Sequence, residues 1–294
     1  MKKYLIFRTD RVGDFLLTLS LIKIIKINQP KSTITIIASK KNYKYIQSFD
    51  VVDNIIILKN NFISKIKLIF LLRKTLFDAI IVHDGKNRSR FVSYYLKFKK
   101  RVVCFTNLID TQLDIIKKTC NEIHMNFSYD CLDFLDGRTH SLVKIPFKNY
   151  IHFHFDEKWS HIQYIKKYTN IEPNEEQLKL FIQQIIFKNK NLVITTGKKT
   201  SFLLENIKNS IDNERVKIYF NQSLLEIENI VFKSEMLITC HGWISHIASS
   251  KKIKQIDIID DLYPYNKWTS HFRNYNSINR ESFDILSKKI INLI

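Results

Sequence analysis

Short apolar runs alternate with amphipathic segments along the whole chain. The runs are three to five residues long and rich in β-branched side chains, which predicts the buried strands of a parallel sheet. In the first half they lie at Tyr4–Phe7, Thr33–Ile37, Ile55–Leu58, Ala79–Val82 and Val102–Phe105. In the second half they lie at Ile151–Phe153, Leu192–Thr195, Val216–Phe220, Met236–Thr239 and Gln255–Ile259.

Segments with helical spacing fill the intervals between these strands. In the first half they are Phe15–Lys26, Lys40–Phe49, Phe62–Thr75, Asn87–Lys97 and Asp110–Ile123. In the second half they are Glu157–Tyr168, Asn174–Phe187, Ser201–Ile211, Ser223–Phe232 and Ile244–Ser250. Strict alternation of strands and helices predicts parallel βαβ units, so we expect an α/β protein with two doubly wound domains.

The break between the two domains is predicted near Pro146 to Tyr150, after a polar and irregular stretch. We therefore expect an N-terminal Rossmann-like domain over residues 1–147 and a second one over residues 148–279. Residues 280–294 carry Phe283, Leu286, Ile290 and Leu293 at helical spacing, which predicts a closing helix that packs on a core.

The chain has only five glycines, and four of them directly follow a predicted strand. These four are Gly13, Gly85, Gly197 and Gly242. In parallel sheets, the carboxyl ends of the strands hold ligands, so these glycines mark the edges expected to line a cleft between the domains.

The formal net charge is +19, which favours an anionic partner such as a phosphorylated substrate, nucleic acid or an acidic membrane. A plain compositional bias towards lysine explains the charge equally well. Basic residues occur in both halves and no nucleic-acid motif is present, so a nucleic-acid-binding protein is the weaker alternative.

The remaining composition points to a cytoplasmic protein. No stretch reaches the roughly 20 apolar residues of a membrane span, and the first apolar run is too short for a secretory signal. Four cysteines without paired spacing suit a reducing compartment. Cys120, His124 and Cys131 fall short of a four-ligand zinc set, so no metal site is predicted.

A charged turn follows the first predicted strand and leads into the first helix. It reads Arg8-Thr9-Asp10-Arg11-Val12-Gly13-Asp14. Such a glycine turn places backbone N–H groups and the positive end of a helix dipole at the sheet edge, which predicts a sugar or phosphate site. Two structural alternatives stay open: Asp14 as a first-turn acid that stabilises the helix, and the arginines in salt bridges to Asp10 or Asp14.

Three motifs, in the same order, resemble glycosyltransferase family 9, the heptosyltransferase-like enzymes of lipopolysaccharide core biosynthesis. The first is the Arg8 to Asp14 turn, followed by Leu16, Leu17, Thr18 and Leu21. The second is Asp156-Glu157-Lys158-Trp159, and the third is Ser223-Leu224-Leu225-Glu226, which leads to a glycine turn with His246 and Ala248. The resemblance spans nearly the whole chain and implies a GT-B fold, in which two Rossmann-like domains face each other across a cleft.

The resemblance also implies an activity: inverting, metal-independent transfer of a heptose-like sugar from a nucleotide-diphosphate sugar to a lipopolysaccharide-type or other glycan acceptor. Asp14 would be the general base. Donor binding is assigned to Lys158, Thr195, Thr196, Gly197, Gly242, Ser245 and His246, and acceptor binding to Arg8, Asp10, Arg11 and Gly13. No cofactor is expected besides the donor substrate. The expected partners are an anionic glycolipid acceptor and the acidic inner face of a membrane.

The last glycine turn departs from the family pattern. The family usually has Asp-Thr/Ser-Gly-x-x-His-x-Ala, whereas this chain reads Cys240-His241-Gly242-Trp243-Ile244-Ser245-His246-Ile247-Ala248. The aspartate is missing and one residue is added, so the donor phosphate loop must have a different shape. A family member that binds a nucleotide or glycan without turnover is therefore the alternative function.

Overall fold

The computed structural model of the chain describes residues 1–105, 109–139, 142–160, 162–197, 202–211 and 214–294. The chain forms two compact units. The first comprises Met1–Phe134 and Asn266–His271, and the second Leu135–Tyr265 and Phe272–Ile294. The boundaries predicted at residues 147 and 279 stay predictions.

The first unit is built on a five-stranded parallel sheet of order β3-β2-β1-β4-β5. Its strands are β1 (Lys3–Phe7), β2 (Thr33–Ala38), β3 (Asn54–Ile57), β4 (Leu76–Val82) and β5 (Lys97–Val103). Its helices are α1 (Val12–Asn28), α2 (Tyr43–Ile46), α3 (Phe62–Leu72), α4 (Asn87–Tyr94) and α5 (Gln112–Glu122), followed by a 3-10 helix at Tyr129–Leu132.

The second unit is built on a six-stranded parallel sheet of order β11-β10-β9-β6-β7-β8. Its strands are β6 (Ile151–Phe155), β7 (Leu192–Thr196), β8 (Val216–Tyr219), β9 (Met236–Cys240), β10 (Lys254–Ile259) and β11 (Tyr275–Asn279). The helices of this half are α6 (Glu157–Ser160), α7 (Ile162–Ile165), α8 (Glu175–Phe187), α9 (Phe202–Lys208), α10 (Leu224–Lys233), α11 (Trp243–Ser250), α12 (Asn266–Thr269) and α13 (Phe283–Leu293). Of these, α12 belongs to the first unit.

The burial of both sheets explains why the apolar runs become strands. Every residue of β6, β7 and β9 is buried, as expected for parallel strands covered on both faces. Helix α1 is buried around most of its circumference rather than along one stripe. The closing helix α13 packs Phe283, Leu286 and Ile290 into the core of the second unit, as predicted.

The alternation of strands and helices predicted from sequence is confirmed, and the differences are at the sheet edges and helix ends. Strand β5 begins at Lys97 rather than Val102, and the polar edge strand β11 was missed. Helix α1 begins at Val12, so Gly13 lies inside the helix. The predicted helix Glu157–Tyr168 is two short helices that end at Ile165, with residue 161 outside the described residues; Ser201 is likewise outside them.

Each sheet has one point where the order of strand addition reverses. In the first unit it lies between β1 and β4, and in the second between β6 and β9. At such a point the loops after the two central strands diverge, and the crevice at their carboxyl ends is where α/β proteins bind ligands. The turn before α1 and the Lys158 segment therefore both lie where a ligand is expected. Within the described ranges, no helix has the length and apolar character to span a bilayer.

Candidate functional site

The turn after β1 is organised by a buried arginine. Arg8 is only 3% exposed, and its guanidinium donates from Nε to Thr18 Oγ1 (2.6 Å), from Nη1 to Asp10 Oδ2 (3.1 Å) and from Nη2 to His83 Nδ1 (3.0 Å). Because arginine is always a donor, His83 accepts at Nδ1 and carries its proton on Nε2. Burial, assisted by the nearby arginine charge, lowers the pKa of His83 well below its usual value, so the imidazole is neutral. Arg8 therefore makes the salt bridge to Asp10 that the sequence left open.

Asp14 lies in the first turn of α1, at the carboxyl end of β1 where the strand order of the first sheet reverses. Its Oδ2 accepts a hydrogen bond from the backbone N–H of Arg11 at 3.2 Å, a stabilising first-turn contact. Burial, then the neighbouring Asp10 carboxylate, raises the pKa of Asp14, and Arg8 and Arg11 offset this only in part. A raised pKa makes a carboxylate a stronger proton acceptor, which suits a general base. Both roles weighed from sequence, helix stabiliser and base, are compatible with this geometry.

Loops from the two neighbouring strands hold the turn in place. The Asn42 side chain, after β2, donates to the Arg8 carbonyl at 2.8 Å. Asp84, after β4, accepts from the backbone N–H of Thr9 at 3.1 Å and from its hydroxyl at 2.5 Å. Arg88 in α4 donates to the Thr9 carbonyl at 2.8 Å. The backbone that carries Asp10, Gly13 and Asp14 is therefore fixed from both sides of the point where the strand order reverses.

The crevice of the second unit is organised by Lys158, at the start of α6. Its Nζ donates to the His241 carbonyl at 2.7 Å and the Cys240 carbonyl at 3.3 Å, and lies 3.3 Å from Asp156 Oδ2. Burial opposes the lysine charge, but the Asp156 carboxylate outweighs this effect. The pKa of Lys158 is therefore raised and the side chain stays protonated. The Lys158 side chain as a whole is 24% exposed, so it is not sealed from solvent.

Two of the predicted donor-site glycines lie against charged side chains of the same segment. A Cβ added to Gly242 would clash with Lys158 Nζ, and one added to Gly197 would clash with the Glu157 carboxylate. Gly242 has φ −177°, an extended conformation open to any residue, so the requirement there is space alone. These glycines let the charges of Glu157 and Lys158 lie close to the backbones that end β7 and β9.

A buried carboxylate supports the altered glycine turn from a neighbouring strand. Asp257 in β10 is 0% exposed; its Oδ2 accepts from His241 Nδ1 at 2.6 Å and its Oδ1 from the Ser245 hydroxyl at 2.7 Å. Ser245 in turn accepts from the Gly242 N–H at 3.2 Å. His241 Nε2 has no hydrogen-bond partner among the described residues. Asp257 therefore places a carboxylate at the turn from which the family's aspartate is missing.

The other predicted donor residues are enclosed. Thr195 is 0% exposed, and its hydroxyl is shared by His152 Nε2 at 2.7 Å and His154 Nδ1 at 2.8 Å. The Thr196 hydroxyl accepts from the Asn221 N–H at 3.1 Å. His246 is 4% exposed, with its ring edge-on to Phe272 at 5.1 Å. The Thr195 and Thr196 hydroxyls are therefore already bonded within the protein, and His246 is enclosed.

Arg280, also missed from sequence, fixes the loop that carries Lys158. It is 8% exposed and donates to the Lys158 carbonyl at 2.7 Å and the Thr169 carbonyl at 2.9 Å. Its Nη1 also lies 3.8 Å from Cys240 Sγ. Burial raises the pKa of that thiol, so Cys240 is a neutral packing residue rather than a nucleophile.

One signal in the sequence pointed to the residues that were missed. His83, Asp84 and Asp257 are ionisable residues in or directly after predicted strands that are otherwise apolar. A charged group in a buried strand requires partners, because burying it alone costs several kcal/mol, on the order of 2–7 even for a neutral polar group. Arg88 and Arg280 carried no such signal, because each lies in a polar stretch.

No protein-family model matches the chain, and no curated protein matches it in sequence. Solved structures do match it over nearly its full length. E. coli heptosyltransferase WaaC with ADP has a TM-score of 0.72 at 11% identity, covering 99% of this chain and 100% of WaaC. A glycosyl transferase family 9 protein from Veillonella parvula has a TM-score of 0.68 at 12% identity, covering 100% of this chain and 90% of that protein. UDP-GlcNAc 2-epimerase from Methanocaldococcus jannaschii has a TM-score of 0.62 at 12% identity, covering 100% and 92%.

At this level of identity the likeness is one of fold. The two parallel-sheet units described above are the two Rossmann-like parts of the GT-B arrangement that the sequence motifs implied. The chain therefore has the GT-B fold of the heptosyltransferases and of glycosyltransferase family 9.

Proposed function

We propose that the protein is a glycosyltransferase that moves a heptose-like sugar from a nucleotide-diphosphate sugar to a glycan acceptor. The observation that carries the proposal is the Lys158 ammonium, which stays protonated against Gly242 at the crevice between β6 and β9. A fixed cation beside a glycine turn and the start of α11 matches the charge of a diphosphate. Among proteins of this fold, WaaC has been solved with ADP and with ADP-2-deoxy-2-fluoro heptose.

The donor diphosphate is held by four groups in this proposal. Lys158 contributes its charge, and the backbone N–H groups after Gly242 contribute hydrogen bonds. The His241 imidazole, oriented by Asp257, donates from Nε2 to a phosphate oxygen when it is protonated. The backbone at 195–197 approaches the nucleotide, because the Thr195 and Thr196 hydroxyls are already bonded within the protein. Ser245 and His246 act by shaping the turn.

Transfer follows a single displacement in this proposal. The acceptor hydroxyl oxygen forms a bond to the anomeric carbon of the donor sugar while its proton passes to the Asp14 carboxylate. The bond between that carbon and the phosphate oxygen breaks, and the nucleoside diphosphate leaves with the electron pair. The ammonium of Lys158 stabilises the charge that develops on the leaving group, so we expect no need for a metal.

The acceptor is bound by the first unit in this proposal. Arg11 is exposed and supplies positive charge beside Asp14 for an anionic, lipopolysaccharide-type acceptor. Arg8, which is buried and bonded through each of its three guanidinium nitrogens, positions Asp10 and the turn instead of contacting the acceptor. Gly13 lets the acceptor approach the first turn of α1.

The test has two steps. A thermal-shift panel of nucleoside diphosphates and their sugars identifies the donor, and transfer from that donor is then measured for Asp14→Asn. We expect this variant to bind the donor normally and to lose transfer, whereas the exposed control Asp50→Asn keeps both. Donor binding without any transfer in the wild type would instead support the non-catalytic alternative, and no nucleotide binding at all would refute the proposal.

A further inference from the structure

The segment that runs from α3 through β4 and α4 to the end of β5 exposes an unusual number of large hydrophobic side chains. Nine of the 20 that are exposed among the described residues fall in residues 59–105. We call this surface the aromatic–basic face; its exposed members are Phe62, Ile63, Phe70, Leu71, Leu76, Tyr94, Tyr95, Phe98 and Phe105. Single exposed apolar residues are ordinary, but a cluster of them marks an interaction surface.

The core of the first unit does not require these side chains. Helix α3 already packs Leu68 and Leu72 into that core, and α4 packs Val92. The outward half of α3 nevertheless carries Phe70 and Leu71, which are 56% and 64% exposed. A helix that only covers a sheet has polar residues on that side.

Three of the exposed rings, those of Phe62, Tyr94 and Tyr95, are linked through the half-buried ring of Phe91. Phe62 of α3 lies 6.4 Å from Phe91 of α4, measured between ring centroids. Phe91 lies 5.2 Å from Tyr95, which lies 5.3 Å from Tyr94. The end of α4 and the start of α3 are therefore joined by an aromatic cluster on this surface.

Positive charge is concentrated on the same segment. Residues 59–105 contain 12 Lys and Arg and 2 Asp, a net charge of +10, while the other 247 residues contribute the remaining +9. Two cations lie over exposed rings, with Arg73 4.2 Å from the Phe70 centroid and Arg90 5.0 Å from that of Phe105. Two of the lysines are neutralised, Lys99 by Asp78 and Lys100 by Glu122.

We propose that the aromatic–basic face docks the protein onto an anionic lipid bilayer. Aromatic rings settle at the level of the lipid headgroups, aliphatic side chains reach the acyl boundary, and basic residues attract the acidic lipid. Nucleic acid fits less well, because Ile63, Leu71 and Leu76 have no favourable contact with a polyanion. The charge complementarity and the aliphatic component together specify this occupant.

This inference rests on the proposed function and adds to it the surface through which the protein would bind the membrane. Its test does not require a transfer reaction. The full-length protein is sedimented with phosphatidylcholine vesicles, with or without phosphatidylglycerol, at low and high salt. Each basic residue near an acidic bilayer contributes roughly fivefold in affinity, so Arg73→Gln with Lys74→Gln should weaken binding roughly 30-fold. The matched control, Lys40→Gln with Lys41→Gln, removes the same charge from exposed positions elsewhere in this unit and should have a much smaller effect.

A second pair of variants tests the apolar part. Phe70→Ser with Leu71→Ser should reduce binding roughly tenfold or more, because two inserted side chains are lost. Leu180→Ser with Phe187→Ser, at residues of α8 that are 55% and 92% exposed, should leave binding unchanged. All four sites are exposed, so we expect each variant to keep the wild-type unfolding temperature.

The outcomes separate clearly. The proposal is supported if vesicle binding requires phosphatidylglycerol, and if the affinity falls in both variants of the face but in neither control variant. No binding to acidic vesicles, equal losses in face and control variants, or tighter binding to a duplex oligonucleotide than to vesicles overturns it. Asp14→Asn should bind vesicles like the wild type, so a failed transfer assay and a failed docking surface are distinguished.

Discussion

Gly242→Ala is the sharpest test of how the second crevice is built. The new Cβ would occupy the space held by Lys158 Nζ, so the ammonium group must move. The backbone itself is not strained, because φ at this position is −177°. The cost therefore has two sources: the contacts that the lysine gives up, above all its 2.7 Å hydrogen bond to the His241 carbonyl, and the poorer fit of alanine at the N-cap of α11.

The expected loss in the free energy of unfolding follows from that hydrogen bond. A hydrogen bond from a charged donor contributes about 1.5–3 kcal/mol to stability. The Lys158 side chain is 24% exposed, so water replaces part of the lost interaction and we expect a loss of about 1–2 kcal/mol. Lys158→Ala removes the same contact and the obstruction with it. In that background only the N-cap preference remains, so Gly242→Ala should cost about 1 kcal/mol less than in the wild type, which makes the pair non-additive.

The free energy of unfolding is measured in urea by tryptophan fluorescence; Trp159 and Trp243 lie in the second unit and Trp268 in the first, so the measurement is made in a variant with Trp268→Phe. Gly137→Ala is the control: its φ is +77° but a Cβ there meets nothing within 4 Å. It should therefore lower stability by about 1–2 kcal/mol through backbone strain, without any coupling to Lys158. Equal costs of Gly242→Ala with and without the lysine would refute the geometry. Under the proposed function, Gly242→Ala also weakens nucleoside diphosphate binding and Gly137→Ala does not.

Three further predictions follow, of which the first two rest on the proposed function: they concern the proposed general base Asp14, the expected independence from metal, and the core of the second unit. Asp10 raises the pKa of Asp14 and Arg11 lowers it, so Asp10→Asn should move the acidic limb of the kcat–pH profile to lower pH and Arg11→Gln should move it to higher pH. Shifts of the same sign in the two variants would contradict this. Transfer should be unchanged after dialysis against EDTA, and restoration of a lost rate by Mg²⁺ would contradict it. Leu286→Ala, at a fully buried position, should cost about 2–5 kcal/mol in urea unfolding, and Ile285→Ala, at a 48% exposed one, less than about 0.5.

The interior of the fold was predictable because strands that are buried on both faces consist almost entirely of apolar residues, and such runs are visible in the sequence. Central strands such as β1 and β9 are continuous apolar runs, and no other element type fits runs of that length between turns. Edge strands lack this signal. Strand β5 begins with exposed Lys97, Phe98 and Lys99, and lysines of this kind protect an edge from pairing with another sheet.

The Asp14 turn was predictable for a different reason. Its charged residues lie close together in the sequence, directly after a strand. Residues this close in sequence are also close in space. The groups that hold this turn come from other strands. His83 and Asp84 are about 75 residues away along the chain, and they reach Arg8 and Thr9 only because β4 pairs beside β1.

The glycine turn after β9 shows the same limit at the donor side. The segment Cys240 to His246 has no carboxylate, which by itself suggests a degenerate site. In the parallel register Asp257 pairs with Thr239, and this places its carboxylate beside His241 and Ser245. A buried aspartate in an apolar strand has to satisfy both oxygens, and the turn supplies both donors. A carboxylate therefore supports this turn from the neighbouring strand, although the turn itself contains none.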